Sequence, residues 1–288
     1  MNVLVESSDV LPLVDVEIAF AAGSLQDPAG REGLAQLTGH LMRRGPRGLS
    51  QQRFEDRLAS LGARVSVQVS MRSTRIRASV LRRNFEPLLG LLADLVWRPA
   101  LRASDFAKLK RQALAALISR LDDDQTLAAL CFREALFGEH PYARAQSGTA
   151  DSLARIGLEQ IESFYTRFIE KRAFLVGVAG DVVDAEARAL VSSYFPGTKR
   201  QKRKDSVVPA TRTRPGRHVV IVDTPERTQT QLYIGTLGAR TRDRDLFPLI
   251  VSNNAFGGTF SGPLMQEVRG VRGWSYGAYS RLLHSQRR

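Results

Sequence analysis

Residues 22–48 read AGSLQDPAGREGLAQLTGHLMRRGPRG, and the change of pattern inside them decides how the chain is built. Asp27-Pro28-Ala29-Gly30 is a turn: proline presets its own φ, and glycine accepts the positive φ that a tight reversal needs. From Gly33 to Arg44 the apolar period becomes helical, with Leu34, Leu37, His40 and Leu41 on one face. Gly45-Pro46 then stops the helix. Just upstream, Val14–Ala21 (VDVEIAFA) is apolar enough for a buried strand.

Working outward, the same alternation continues. Ser50 caps a second helix, SQQRFEDRLASLG, which turns Phe54, Leu58 and Leu61 inward. Residues 64–69 (RVSVQV) alternate strictly and read as a half-buried strand, with Thr74–Leu81 as its hairpin partner. Amphipathic helices follow at Asn84–Leu95, Ala103–Arg120, Gln125–Phe137 and Leu158–Phe168. The strand Phe174–Ala179 ends at Gly180-Asp181, and a helix from Ala185 to Tyr194 follows. After a basic stretch the order restarts. His218–Asp223 and Gln231–Gly235 read as strands, Arg244–Ala255 and Pro263–Val268 as helices, and Trp274–Tyr279 as a strand. Strands and helices repeated in this way predict an α+β fold in two copies, the second much shorter than the first.

Composition limits the function classes. The 288 residues carry 42 Lys plus Arg against 29 Asp plus Glu, a net charge of +13. Residues 199–217 (KRQKRKDSVVPATRTRPGR) hold eight of the basic residues and one Asp, so over half of the excess charge sits in one stretch. That stretch has two prolines and no aromatic residue for base stacking, so it reads as an exposed linker rather than a nucleic-acid arm. The single cysteine, Cys131, excludes an internal disulfide framework and a cysteine-built zinc site. The four histidines, His40, His140, His218 and His284, lie far apart, which excludes a local multi-histidine metal site. No apolar run is long enough for a membrane span. The N-terminal residues lack the pattern of a signal peptide, and both a periplasmic and a cytoplasmic location stay open.

Five blocks in order resemble the pitrilysin/insulinase family of zinc metallopeptidases, especially its bacterial, processing-peptidase-like members. They are residues 22–48, 137–149 (FGEHPYARAQSGT), 155–181, 215–235 and 253–280 (NNAFGGTFSGPLMQEVRGVRGWSYGAYS). The resemblance implies two homologous α/β sandwich half-domains, each a mixed sheet with helices packed on one face. The expected boundaries are 1–198 for the first half, 199–217 for the linker and 218–288 for a partial second half. It also leaves room for a truncated or frameshifted product and for a lost export signal.

The resemblance further implies where zinc chemistry would stand. The family's H-x-x-E-H motif falls on Gln36, Gly39 and His40, so the first ligand and the general base are replaced. The third ligand position falls on Leu117, six residues after Arg111, and Lys110 replaces a supporting acid. Glutamine is a weak neutral donor, leucine offers no donor, and glycine cannot take a proton, so this chain is expected to bind no metal or other cofactor. The acidic run Asp122-Asp123-Asp124 reads as a solvated helix end rather than a substitute ligand set. His40 reads as a helix-face histidine, and His140 with Tyr142 as fixing a loop.

What the resemblance leaves intact is Arg269 and Tyr276. In the family, an Arg and a Tyr at this spacing reach toward the substrate carbonyl and stabilise the oxyanion. Gly257-Gly258 are expected to give close backbone approach there. Val65-Ser66-Val67 match the family's substrate edge strand. The expectation is a catalytically deficient subunit that lends Arg269 and Tyr276 to a zinc-bearing homologous partner acting on peptides. The alternatives are a structural or peptide-binding homologue without a catalytic role, and, with less support, an active endopeptidase or a basic nucleic-acid binder.

Overall fold

The computed structural model describes residues 2–196, 208–211 and 215–283. Most of the basic stretch 199–217, and the terminal Arg287-Arg288, lie outside the described residues. The chain divides into two compact units, Met1–Leu127 with Arg144–Ser206, and Ala128–Ala143 with Val207–Arg288. Residues 128–143, read above as part of the first half, therefore cluster with the second unit.

The first unit is built on a five-stranded mixed sheet. Its strands are β1 (Asn2–Ser7), β2 (Leu13–Phe20), β3 (Arg64–Val69), β4 (Thr74–Leu81) and β5 (Phe174–Gly180), in the order β1-β5-β2-β4-β3. The β1–β5 pair is parallel and every other pair is antiparallel. β2, read from its sequence as a buried strand, instead alternates: Val14, Val16, Ile18 and Phe20 are buried while Leu13 and Asp15 are exposed. One sheet face thus meets the helices and the other meets solvent.

The helices of this unit are α1 (Leu34–Met42), α2 (Gln51–Ser60), α3 (Phe85–Trp97) and α4 (Ala103–Leu121), then α5 (Asp124–Phe137), whose later turns belong to the second unit. The set continues with α6 (Ala150–Ala154), α7 (Leu158–Tyr165) and α8 (Asp184–Tyr194). Ser50 caps α2 by accepting from the Arg53 amide, as read from the sequence. The core runs from β2 and β5 into α1, α3 and α7. At one end Phe20, Phe174, Trp97 and Phe195 form a ring cluster, with centroids 5.2 Å apart for Phe20–Phe174 and 5.8 Å for Trp97–Phe195. Burial of each such ring stabilises the unit by about 2–3 kcal/mol. The Trp97 indole N–H also donates to the Tyr194 carbonyl at 3.2 Å.

β1 was not anticipated. Its sequence, NVLVES, is short, and Val3 and Val5 are only half-buried. It becomes a strand because β5 offers a parallel edge, pairing Asn2 with Leu175 and Glu6 with Ala179. No local pattern announces a partner so distant in sequence.

The second unit departs further from expectation. It contains the end of α5, α9 (Leu246–Asn253), a π-helical turn Asn254–Gly258, and α10 (Pro263–Met265) running into a second π-helical turn Gln266–Val271. The strands expected at 218–223, 231–235 and 274–279 are not formed; these described residues pair with no ladder. A strand exists only where its amides and carbonyls find partners, and apolar residues alone do not supply them. Val219, Ile221 and Ile234 are accordingly 84–87% exposed. Local order is kept by contacts such as Phe132–Tyr233, with ring centroids 6.1 Å apart.

Candidate functional site

The site is built where α1 meets β3, within the first unit. Asp27 sets the start of α1. Its carboxylate oxygens accept from the Gly33 and Ala35 amides, each at 2.9 Å, and so satisfy donors that a helix N-terminus leaves unpaired. Gly33 takes φ +97°, a conformation that favours glycine. Burial pushes the Asp27 carboxyl up to about 7, outweighing the two amide hydrogen bonds that favour its anion.

With its start fixed, α1 turns Leu34, Leu37 and Leu41 into the core. Gln36 lies three and four residues before Gly39 and His40, and Arg43 four and three residues after them, so all four sit on the side toward β3. Gly39 is the point of contact. A Cβ there would stand 2.5 Å from Val69 Cγ2 and 3.3 Å from Val67 Cγ1. The missing side chain lets helix and strand come together, and no room remains for a carboxylate at this position.

Gln36 and His40 are tied into the same joint. The Gln36 amide donates to the Val69 carbonyl at 2.9 Å, and its oxygen lies 3.1 Å from His40 Nε2. Because the Gln36 nitrogen faces Val69, its oxygen faces the ring, and the hydrogen-bond network places a proton on His40 Nε2. Burial, with a lesser effect of Arg44, holds His40 below the ordinary histidine range and so favours the neutral ring.

One turn on, Arg43 Nε donates to the Val65 carbonyl at 2.8 Å. Its two terminal nitrogens form a fork on Glu55 at 2.7 and 3.1 Å, and its guanidinium lies 5.4 Å from the Phe54 ring centre. Sequence reading missed both Arg43 and Glu55. The available signal was that Arg43 lies seven residues after Gln36 and hence on the same helix face.

Val65, Ser66 and Val67 do lie on an edge strand, since β3 pairs only with β4 among the described strands. The Ser70 amide bonds the Ser73 carbonyl, which closes the β3–β4 turn on a hydrogen-bonded pair. Parity then directs the backbone groups of Ser66 and Gln68 toward β4 and those of Val65, Val67 and Val69 toward the open edge. Beside this edge is an open cleft of about 480 Å³ lined by Gln36, His40, Val67, Ser70, Ser73 and Arg75, among others.

The remaining positions offer nothing to a metal. Leu117 packs partly buried against the core. Lys110 Nζ donates to the carbonyls of Ala154 and Ile156 at 2.9 and 2.8 Å, closing the end of α6. Asp123 accepts from the Thr126 amide at 2.7 Å, and the hydrogen bonds with Thr126 hold its carboxyl below the usual range, as befits a helix cap. Among the described residues no group of three His, Cys, Asp or Glu is placed to hold an ion. Gln36 already bonded twice, Gly39 without space and Leu117 without a donor do not fit zinc.

The other expected residues lie in the second unit. Arg269, in the turn Gln266–Val271, stacks its guanidinium 5.0 Å from the Phe260 ring centre. Tyr276 is 90% exposed and lies on no strand. Gly257 is buried, but the backbone it lets approach is at Ser280, whose amide bonds the Gly257 carbonyl at 2.9 Å. A Cβ on Gly258 would collide with the Asn254 side chain. The two glycines therefore shape a turn rather than opening a visible site. His140 does fix a loop: its Nδ1 accepts from the Tyr142 amide at 3.1 Å, and Nε2 lies 3.0 Å from the Pro209 carbonyl oxygen.

The profile described as Insulinase (Peptidase family M16) matches residues 2–149, and that described as Peptidase M16 inactive domain matches residues 155–288. The chain belongs to peptidase family M16. An uncharacterized zinc protease of Mycobacterium leprae is 27% identical over 98% of this chain and 64% of its own length. The non-peptidase homolog YmxG of Helicobacter pylori is 24% identical over 97% of this chain and, again, 64% of its own length. The chain thus spans under two thirds of these M16 relatives. Among solved structures, a peptidase M16 inactive domain from Pseudomonas fluorescens superposes with a TM-score of 0.82 at 25% identity, covering 99% of this chain and 69% of that one. A protease from Helicobacter pylori reaches 0.83 at 18% identity, over 98% and 70%. The M16 profile boundary near residue 150 is not a structural one, because β5 lies beyond it and still sits between β1 and β2.

Proposed function

We propose that this chain is a catalytically deficient M16 subunit that works beside a zinc-bearing homologue on peptide substrates. One observation carries the reading. The α1–β3 joint uses Gln36 as a strand cap and Gly39 as a packing contact, so the positions that bear metal and base in an active member serve a structural purpose. The family now includes relatives named zinc protease and a relative named non-peptidase homolog, which agrees with a division of labour between chains. The zinc belongs to the partner. Arg269 and Tyr276 are this chain's contribution, a guanidinium and a hydroxyl able to donate to a peptide carbonyl.

The test is reconstitution. The chain alone should hydrolyse no peptide and retain no zinc after dialysis. Mixed with an M16 homologue that carries the intact motif, it should raise peptide hydrolysis. Arg269→Ala and Tyr276→Phe should each lower kcat of the pair about 100-fold, the scale of losing one oxyanion donor. Stoichiometric zinc with chelator-sensitive activity in the isolated chain would sink the proposal. A purely structural role has the Helicobacter non-peptidase homolog in its favour. It predicts that the pair keeps full activity with both residues replaced.

A further inference from the structure

We infer that the open edge of β3 is gated by side chains of α1, so that an extended peptide can pair with it only at Val67. The inference rests on the reading of this chain as a peptide-binding M16 subunit, and it assigns Gln36 and Arg43 as the residues that limit binding. An added strand needs the outward amides and carbonyls of alternate residues, here Val65, Val67 and Val69. Two of the three carbonyls are occupied from α1: Val65 by Arg43 at 2.8 Å and Val69 by Gln36 at 2.9 Å. Both caps are held from behind, Arg43 by its fork on Glu55 and Gln36 by His40. They are therefore positioned side chains rather than free ones that an incoming strand displaces at no cost.

Between the caps, the outward amide of Val67 donates no hydrogen bond and its carbonyl accepts none among the described residues. The cleft of about 480 Å³ opens beside that residue, and Arg75, Ser70 and Ser73 line it with polar groups. The site therefore fits one backbone-paired residue of a peptide with its neighbours bent away from the strand. A continuous β-strand addition would need both caps to leave.

The test is anisotropy titration of the whole chain with a fluorescein-labelled nonapeptide of alternating valine and serine, followed by amide hydrogen exchange. The parent chain should bind weakly and gain protection at Val67 alone. Gln36→Ala should bind about fivefold tighter and extend protection to Val69, and Arg43→Met should do the same toward Val65, the scale of one net hydrogen bond each. Arg43 also bonds Glu55, so if Arg43→Met fails to fold, Gln36→Ala decides alone. The inference is overturned if neither variant binds tighter, if the parent chain already protects all three amides, or if no variant binds the peptide. Reconstituted hydrolysis with a zinc-bearing partner is a separate measurement, and its failure would not produce any of these patterns.

Discussion

A Cβ on Gly39 would stand 2.5 Å from Val69 Cγ2, so helix α1 and strand β3 touch through the absence of a side chain. In an exposed helix, replacing glycine by alanine stabilises by up to about 1 kcal/mol. Here the clash should reverse the sign. Gly39→Ala is expected to lower stability by about 1–2 kcal/mol, because either α1 or β3 must move. Urea denaturation of the parent and variant chains measures it, and a stabilised variant would refute the contact.

Asp27 makes a prediction in pH. Its carboxyl titrates at about 7 when folded, against 3.8 as a free side chain. Between those values the folded chain holds a proton that the unfolded chain has released. Stability from this group is therefore complete below about pH 4 and is lost as the pH rises toward 7. The stability of the parent minus that of Asp27→Asn should fall across this window and level off above it. A difference that rises with pH would mean that the two helix amides, rather than burial, control the group.

Lys110, at the position where the family resemblance implies a supporting acid, bonds the carbonyls of Ala154 and Ile156. Lys110→Met should cost about 1–3 kcal/mol, since both carbonyls lose a charged donor. Lys110→Arg should recover part of that loss. Thermal unfolding of the three chains distinguishes this from a solvated lysine, for which all three would melt together.

Much of the first unit was legible because its signals are local. The β3–β4 hairpin is written in strict alternation about a four-residue turn, and α1 in its leucine spacing. The residues at positions 36, 39 and 117, where the resemblance implies the zinc motif, were likewise plain from the sequence. What those residues do instead was hidden, because the partners of Gln36 and Arg43 at Val69 and Val65 belong to a strand reached only through the fold. β1 was hidden for the same reason. The segments at 218–223 and 231–235 failed in the opposite direction, since a strand-like composition carries no information about whether a pairing partner is present.

The place of β5 governs the order in which this sheet can be made. β2, β4 and β3 become neighbours within the first eighty or so residues. β1, although synthesised first, has no seat until Phe174–Gly180 emerge from the ribosome and insert between it and β2. Throughout that interval β1 and the outer edge of β2 stand unpaired, and the core lacks the side chains of β5 and α8. The first unit should therefore depend on chaperones during synthesis far more than its finished packing suggests.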